Sequence, residues 1–268
     1  MNVGIGNVVL CGLLIVAFAG RAYPEESPAR TEVPKPADAP SFTERGEDHR
    51  KQKDFDAAIA DYSEAIRLDP NYALAYAHRG EVYRIQCRME LALQDLEEAI
   101  RRDPKLAIAY VRRGVIYHER NDLSRAVADY GQAIACNPQG VGAYYNRGVA
   151  FSEQGELERA IADFSEALRL KPTYVAAYTG RATAYRKQGQ CDAALADCAE
   201  ALRLDPQCAE AHTERGWSYH AKKDFGSAIA EFTEALRLDP RSFEAYRGRG
   251  EASAKKGDFA QANADWTE

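Results

Sequence analysis

The sequence predicts an all-α solenoid, a stack of helical hairpins in which each hairpin buries its apolar face against the next one. Two residue patterns carry this prediction, because each recurs with a period of 34 residues. Proline recurs at Pro70, Pro104, Pro138, Pro172, Pro206 and Pro240. The pair Arg-Gly recurs at Arg45-Gly46, Arg79-Gly80, Arg113-Gly114, Arg147-Gly148, Arg215-Gly216 and Arg249-Gly250. A fixed period of this length is typical of stacked supersecondary units and favours binding over catalysis.

Each repeat divides into two amphipathic stretches around a central break, which predicts two helices joined by a turn. Aligned from Ser41, about seven repeats start near residues 41, 75, 109, 143, 177, 211 and 245, and the last is incomplete. The break column contains Lys53, Cys87, Asn121, Gly155, Gly189, Lys223 and Gly257. Glycine or asparagine in four of these seven positions fits a left-handed residue that ends the first helix. The following column, from Asp54 to Asp258, is mostly acidic and fits an N-cap of the second helix.

Residues 1–21 differ from the repeats and are predicted to form an apolar leader helix, either a signal peptide or a membrane anchor. The segment from Gly4 to Gly20 is uncharged and mostly apolar, long enough for a signal peptide and short for a bilayer span. Ala17-Phe18-Ala19 provides a small-x-small cleavage pattern, although no Lys or Arg precedes the apolar run. The sequence is compatible with cleavage of this segment as a signal peptide and with its retention as a membrane anchor. Both alternatives export the repeats, so that they are secreted, periplasmic or anchored to the membrane.

Residues 22–40 are predicted to be a disordered linker ahead of a solenoid that spans residues 41–268. This segment has mixed charges, almost no large apolar side chains and five prolines, Pro24, Pro28, Pro34, Pro36 and Pro40. These five and the six periodic prolines account for all eleven in the chain, so proline interrupts none of the repeat helices.

The composition points to a protein or peptide partner. The 268 residues have a formal net charge of -6 and a pI near 5.5, which lacks the basic character of nucleic-acid-binding proteins. Patterns of phosphate-binding loops, hydrolase nucleophiles and zinc proteases do not occur in the sequence. The histidines lack a second ligand at helical spacing, and no Cys-x-x-Cys pair occurs. We therefore expect no enzymatic activity, no metal and no cofactor, although five cysteines after the leader fit poorly with an oxidising compartment.

The repeat resembles the tetratricopeptide repeat family. The resemblance is carried by small residues at Gly80, Ala92 and Ala99, by aromatic residues at Tyr76 and Tyr83, and by the closing proline Pro104, and it extends over residues 41–268. It implies a right-handed superhelix whose first helices line a concave groove. Locally the pattern differs, since Ala182 replaces the repeat glycine and Ser253 replaces the second tyrosine.

An arginine and an acidic residue recur sixteen positions apart, which predicts an ion pair within each repeat. Both lie eight residues from the break, so an antiparallel hairpin places them level with each other. The predicted structural pairs are Arg45 and Asp61, Arg79 and Asp95, Arg113 and Asp129, Arg147 and Asp163, Arg181 and Asp197, Arg215 and Glu231, and Arg249 and Asp265. Arginine suits a bidentate carboxylate partner, whereas the alternative is a solvated arginine whose stem covers the hairpin.

The family geometry implies that a peptide groove is lined by first-helix residues outside the core columns. The candidate groove residues are Val111, Arg112, Val115, His118, Tyr145, Asn146, Val149, Thr183, Arg186, Trp217 and His220. The middle of this lining is apolar and aromatic, and its ends are acidic through residues such as Glu47, Glu81, Glu214 and Glu251. We expect a peptide ligand with apolar anchors and basic flanks. For Trp217, packing against the next repeat is an equally good alternative.

Two functional hypotheses follow. The first is a non-catalytic scaffold that binds a peptide or protein segment in the groove, with the membrane contacted only through the N-terminal segment. The second is an accessory or assembly subunit, or a fragment, of a larger exported machine or multidomain enzyme. The second arises because Phe259 and Trp266 lack the polar capping helix that usually closes a solenoid. The same open end predicts self-association through the last repeat.

Overall fold

The computed structural model describes residues 38–267, which form fourteen α-helices and no β-strand. The helices α1 to α14 are Ala39–Lys51, Phe55–Leu68, Ala73–Ile85, Met89–Arg102, Ala107–Glu119, Leu123–Cys136, Val141–Glu153, Leu157–Leu170, Val175–Lys187, Cys191–Leu204, Ala209–Ala221, Phe225–Leu238, Phe243–Lys256 and Phe259–Asp265. Odd-numbered helices are the first helices of the repeats and even-numbered helices are the second. The predicted all-α solenoid is confirmed, whereas the predicted leader and most of the predicted linker lie outside the described residues.

The solenoid begins earlier than the expected boundary at Ser41, because α1 already starts at Ala39. Asp38 caps this helix, and its carboxylate accepts a hydrogen bond from the backbone N–H of Ser41 at 2.9 Å. Pro40 therefore belongs to the first turn of α1 and not to the linker. Proline is tolerated there because the first turn of a helix has no intrahelical acceptor for its N–H groups.

The turns between paired helices all use a left-handed residue, in agreement with the break column. Gly155, Gly189 and Gly257 have φ of 78–86°, while Lys53, Cys87, Asn121 and Lys223 have φ of 59–63°. In four repeats an aspartate then caps the second helix, with the carboxylates of Asp54, Asp122, Asp224 and Asp258 accepting a backbone N–H. Arg88, Glu156 and Gln190 occupy the same position without such a bond, so the capping prediction holds for only part of the column.

Lys223→Gly is expected to raise the free energy of unfolding by about 0.5–1 kcal/mol, because a left-handed conformation strains any residue with a Cβ atom. Gly155→Ala at the equivalent turn of repeat 4 should lower it by about 1 kcal/mol. Urea denaturation followed by circular dichroism measures both. A decrease for Lys223→Gly would contradict the strain argument, and Gly155→Ala supplies the control of opposite sign.

The core contains a small and a large side chain at fixed places in each hairpin. The small column is alanine in all seven repeats and is fully buried at Ala58, Ala92, Ala126, Ala160, Ala194, Ala228 and Ala262. The large column is at most 1% exposed at Tyr62, Leu96, Tyr130, Phe164, Cys198 and Phe232. Glycines allow the first helix to approach these rings, since a Cβ atom on Gly46 would lie 2.7 Å from Cε1 of Tyr62. This interdigitation explains why small and large residues keep fixed offsets.

Candidate functional site: the inner face of the first helices

The first helices of successive repeats contact one another from α1 to α13, in addition to their contacts with the second helices. Within residues 38–267, no second helix contacts the second helix of the next repeat. The stack therefore curves toward the first helices, which form its inner face. This inner face is the surface on which a partner would lie, and it contains the candidate groove residues.

The structure places the candidate groove residues on four neighbouring first helices. Val111, Arg112, Val115 and His118 lie on α5, Tyr145, Asn146 and Val149 on α7, Thr183 and Arg186 on α9, and Trp217 and His220 on α11. All are half-buried except Trp217, which is buried. The candidate residues therefore share one face, but they are not equally available to a ligand.

Trp217 packs inside the solenoid. Only 9% of its surface is exposed, and its ring centroid lies 5.1 Å from that of Phe232 and 5.5 Å from that of His220. The guanidinium of Arg247, from α13 of the next repeat, covers the ring with its Cζ atom 4.6 Å from the centroid. Because α12 and α13 enclose this ring, Trp217 packs within the solenoid and leaves little of its surface for a ligand.

Near the start of the solenoid, the inner face carries a hydrogen-bonded cluster centred on Glu47. The Glu47 carboxylate accepts from the hydroxyl of Tyr62 at 2.6 Å and from Arg50 at 2.8 Å, and its Oε1 lies 2.5 Å from Nδ1 of His78. Burial opposes ionisation of Glu47, but the bonds from His78, Arg50 and Tyr62 outweigh it and hold its pKa below the ordinary value. The sequence predicts Glu47 at an acidic end of the groove, whereas the fold pairs it within the chain.

Arg112 lies beside this cluster with donors that remain unused. Its Nη2 approaches Nδ1 of His78 at 3.3 Å, but that nitrogen also faces the Glu47 carboxylate at 2.5 Å. Its Nη1 is enclosed and has no hydrogen-bond partner among residues 38–267. Burial lowers the pKa of the Arg112 guanidinium. The side chain therefore holds a cation inside the wall of the groove and exposes little of it to a ligand.

Most other charges of the inner face also pair within the chain. Arg84 makes a bidentate contact to Glu81 at 2.9 and 3.1 Å and reaches Glu119 at 2.5 Å. The remaining pairs are His118 with Glu153 at 2.8 Å, Arg186 with Glu214 at 3.0 Å, and Arg247 with both Glu244 and Glu251. The bond to Glu153 raises the pKa of His118. Since these carboxylates already have cationic partners, they offer less charge to a basic ligand than the sequence suggests.

The structure brings every predicted arginine and acid together. In six repeats the arginine Nε donates to the aspartate Oδ2 at 2.7–2.9 Å, and Nη2 donates to the other oxygen. Repeat 6 differs because its acid is Glu231, which contacts Arg215 through Nη2 at 2.8 Å and His212 at 2.9 Å. Nε of Arg215 is enclosed without a partner among the described residues. In repeat 6 the carboxylate of Glu231 therefore contacts both Arg215 and His212, and the bidentate contact with arginine is absent.

Some of the repeated arginines also link neighbouring repeats, a contact that the sequence pattern does not predict. Nη1 of Arg79 donates to the hydroxyl of Ser63 in the preceding repeat at 2.9 Å, and Arg181 does the same with Ser165. The Arg79 guanidinium carbon also lies 5.8 Å from the ring centroid of Tyr76 and 5.9 Å from that of Tyr83. Each such arginine therefore contacts three helices, which makes it a structural residue and not a ligand contact.

A metal site, a reactive thiol and a membrane span each place their own requirements on the described residues. Among residues 38–267 there is no group of three or more histidine, cysteine or acidic side chains that could hold a metal ion. Their cysteines, Cys87, Cys136, Cys191, Cys198 and Cys208, are all free thiols. Burial raises the pKa of Cys198 to about 12 and that of Cys208 to about 11, so both thiols stay protonated. Within the same residues, no helix combines the length and apolar character that a membrane span requires.

Solved structures of several repeat proteins resemble this fold. A chain of the APC/C hetero-tetramer Cut9-Hcn1 matches with a TM-score of 0.69 at 22% identity, covering 80% of this chain and 42% of its own length. The protein YrrB, described as having an unusual peptide-binding site, matches at 0.60 and 20% identity, with 70% and 97% coverage. The type IV pilus biogenesis factor PilW matches at 0.69 and 20% identity, with 77% and 96% coverage. This chain therefore spans less than half of the Cut9-Hcn1 chain that it matches.

Sequence comparison identifies the repeat directly. Four family models, described as tetratricopeptide repeat or TPR repeat, together match residues 46–106, 114–174 and 179–266. Among curated protein sequences, none is significantly similar to this chain. The family matches cover both the recurring residue offsets and the helical hairpins described above, so the chain belongs to the tetratricopeptide repeat family.

Proposed function

We propose that the chain is a non-catalytic, exported scaffold that binds an extended segment of another protein on the inner face of repeats 3 to 5. As a tetratricopeptide repeat protein it is a protein-interaction scaffold. The observation that carries the finer proposal is the contrast along the inner face. Repeats 1 and 2 fill that face with paired charges around Glu47 and Arg84, whereas repeats 3 and 4 also present the valines Val111, Val115 and Val149 and repeat 5 presents Thr183.

The middle of the inner face suits a polypeptide ligand. Its half-buried valines offer apolar area, and Thr183 and Asn146 add polar groups beside them. Small apolar anchor sites flanked by a few polar groups are typical of peptide recognition in grooves. The peptide-binding site reported for YrrB gives a precedent in a protein of the same fold, at an identity that supports the fold alone.

The N-terminal segment supports the exported part of the proposal. Its uncharged apolar run and small-x-small pattern fit a signal peptide or an anchor. Cell fractionation combined with N-terminal sequencing of the mature protein tests this directly. An intact Met1 in the soluble cytosolic fraction would contradict export, while a new N-terminus near residue 20 or membrane-associated full-length protein would distinguish the two alternatives.

An assembly role is the second candidate, and the last repeat favours it. Trp266 is 55% exposed, although its counterparts in the six other repeats are at most 1% exposed. Phe243 and Phe259 are 71% and 65% exposed at the same end of the described chain. Exposed apolar side chains of this kind fit contact with another subunit or a second copy. PilW, which is described as a pilus biogenesis factor, illustrates assembly work by this fold.

Thr183→Arg is expected to weaken ligand binding by about tenfold or more, because a large cation would occupy the proposed groove. The ligand for this test is selected from a phage-displayed library of random dodecapeptides against the full chain and then synthesised with a fluorescein label. Fluorescence anisotropy measures its affinity. Thr173→Arg, at an exposed threonine between α8 and α9, is the matched control and should bind as the wild type does. Equal affinities for both variants would contradict binding on this face.

A further inference from the structure

Two tyrosines of the large core column, Tyr62 in repeat 1 and Tyr130 in repeat 3, are placed alike. Both are fully buried. A Cβ atom on Gly46 would lie 2.7 Å from Cε1 of Tyr62, and one on Gly114 would lie at the same distance from Cε1 of Tyr130. Their hydroxyl groups therefore reach equivalent places beneath the inner face.

The two hydroxyl groups differ in their hydrogen-bond acceptors. The Tyr62 hydroxyl donates to Glu47 at 2.6 Å. The residue equivalent to Glu47 in repeat 3 is Val115, which packs against the cluster that contains Tyr130 and has no acceptor in its side chain. The Tyr130 hydroxyl is enclosed and has no hydrogen-bond partner among residues 38–267. Repeat 3 thus has the donor of repeat 1 without its acceptor.

An enclosed hydroxyl without a partner is costly, and packing does not require it. A buried polar group that is left unpaired loses its hydrogen bonds to water and gains none in return, so it destabilises the fold. Repeats 4 and 6 use Phe164 and Phe232 at the same column, and both rings are at most 1% exposed. Since phenylalanine fills this place elsewhere in the chain, the hydroxyl of Tyr130 needs another explanation, and an acceptor supplied by a ligand provides one.

The surroundings select the chemistry of that acceptor. Burial and the nearby carboxylates of Glu119, Asp129 and Glu153 raise the pKa of Tyr130, so the hydroxyl remains a donor. These carboxylates are themselves paired with Arg84, Arg113 and His118, so little net charge remains beside the hydroxyl. Asn146 on α7 occupies the column that His78 holds beside Glu47. The site therefore offers two neutral polar groups, which suits an uncharged amide.

We propose that the partner polypeptide supplies to repeat 3 the acceptor that Glu47 supplies to repeat 1. An amide carbonyl of an extended, uncharged segment accepts from Tyr130, Asn146 binds the same segment, and its apolar side chains lie on the neighbouring valines. This inference rests on the proposed function and names the ligand class for the same face. Because the hydroxyl is enclosed in the free chain, docking involves rotation of side chains above it, which is common at protein interfaces.

Tyr130→Phe tests the proposal with two readouts of opposite sign in the full chain. Removing the unpaired hydroxyl should raise the melting temperature by about 2–4 °C, yet weaken binding of the selected dodecapeptide by about five- to tenfold. Tyr62→Phe is the matched control. It removes a hydroxyl that already has its acceptor in Glu47, so it should lower the melting temperature and leave peptide affinity unchanged.

The outcomes separate this inference from the function on which it rests. If Thr183→Arg weakens binding and Tyr130→Phe does not, the groove binds the peptide but the hydroxyl has no part in it, and the inference is overturned. If neither variant weakens binding, both proposals are overturned. Selected peptides with acidic residues at their common anchor positions would also overturn the inference, since it assigns an uncharged amide as the acceptor for Tyr130.

Discussion

Gly248→Ala is expected to lower the free energy of unfolding by about 1–3 kcal/mol, although it adds only a methyl group. A Cβ atom on Gly248 would lie 2.3 Å from Cζ and 2.5 Å from Cε1 of Phe232. Phe232 is fully buried and its ring centroid lies 5.1 Å from that of Trp217, so the ring has no free space into which it can move. The added carbon must separate α12 from α13, and this loosens the contact between repeats 6 and 7. Thermal denaturation followed by circular dichroism measures the loss.

Gly142→Ala is the matched control for this substitution. A Cβ atom there would meet nothing within 4 Å, and Gly142 lies in helix α7. The preference for alanine over glycine is about 0.5–1 kcal/mol in a helix interior and smaller in the first turn, where Gly142 lies, so this variant should be at least as stable as the wild type. Similar changes for the two variants would show that the added methyl group fits beside Phe232, which would contradict the argument from close approach of the helices.

Asp163→Ala is expected to cost about 1–3 kcal/mol, between the value for an exposed ion pair and that for a fully buried one. The Asp163 side chain is only 8% exposed and receives Nε and Nη2 of Arg147 at 2.7 and 2.8 Å. Without the carboxylate, the half-buried guanidinium of Arg147 keeps its charge and loses both acceptors. Urea denaturation of the single variants and of the Arg147→Ala and Asp163→Ala double variant isolates the pair energy.

Glu166→Ala supplies the comparison for the ion pair. Glu166 also accepts from an arginine, Arg169, at 2.7 Å, but that pair lies exposed on the surface of α8. Solvent screens such pairs, and we expect no measurable change in the denaturation midpoint. If Asp163→Ala and Glu166→Ala have equal effects, the repeated arginine and acid are solvated surface groups, which is the alternative considered from the sequence.

The repeated pair matters for the fold because it joins three helices. Arg79 and Arg181 each hold an aspartate of their own repeat and a serine of the preceding one. In a solenoid, stability is the sum of repeat terms and neighbour terms, so a residue that serves both is sensitive to substitution. The contact with the aspartate or glutamate of the same repeat is common to all seven arginines, whereas the contact with the preceding repeat occurs where a hydroxyl side chain is present there.

The sequence by itself determined the helices, their breaks and the ion pairs, because these depend on local or fixed-offset relations. Lys53, Cys87 and Lys223 take the left-handed conformation that Gly155 predicted for their column. The contact between Arg147 and Asp163 was predictable, since both residues lie equally far from the turn of an antiparallel hairpin and are therefore opposite each other. Because the same offsets recur in every repeat, a substitution in one repeat does not obscure the pattern.

Only the tertiary structure decided which inner-face residues are available to a ligand. The spacing that placed Trp217 in the groove could not reveal that Arg247 of the next repeat covers its ring. Nor could it show that Glu47 is engaged by Tyr62 and His78 while Tyr130 has no acceptor. These contacts form between side chains of different helices and of neighbouring repeats, so they depend on how the helices pack. They differ from repeat to repeat because the side chains at these positions differ, although the period is the same.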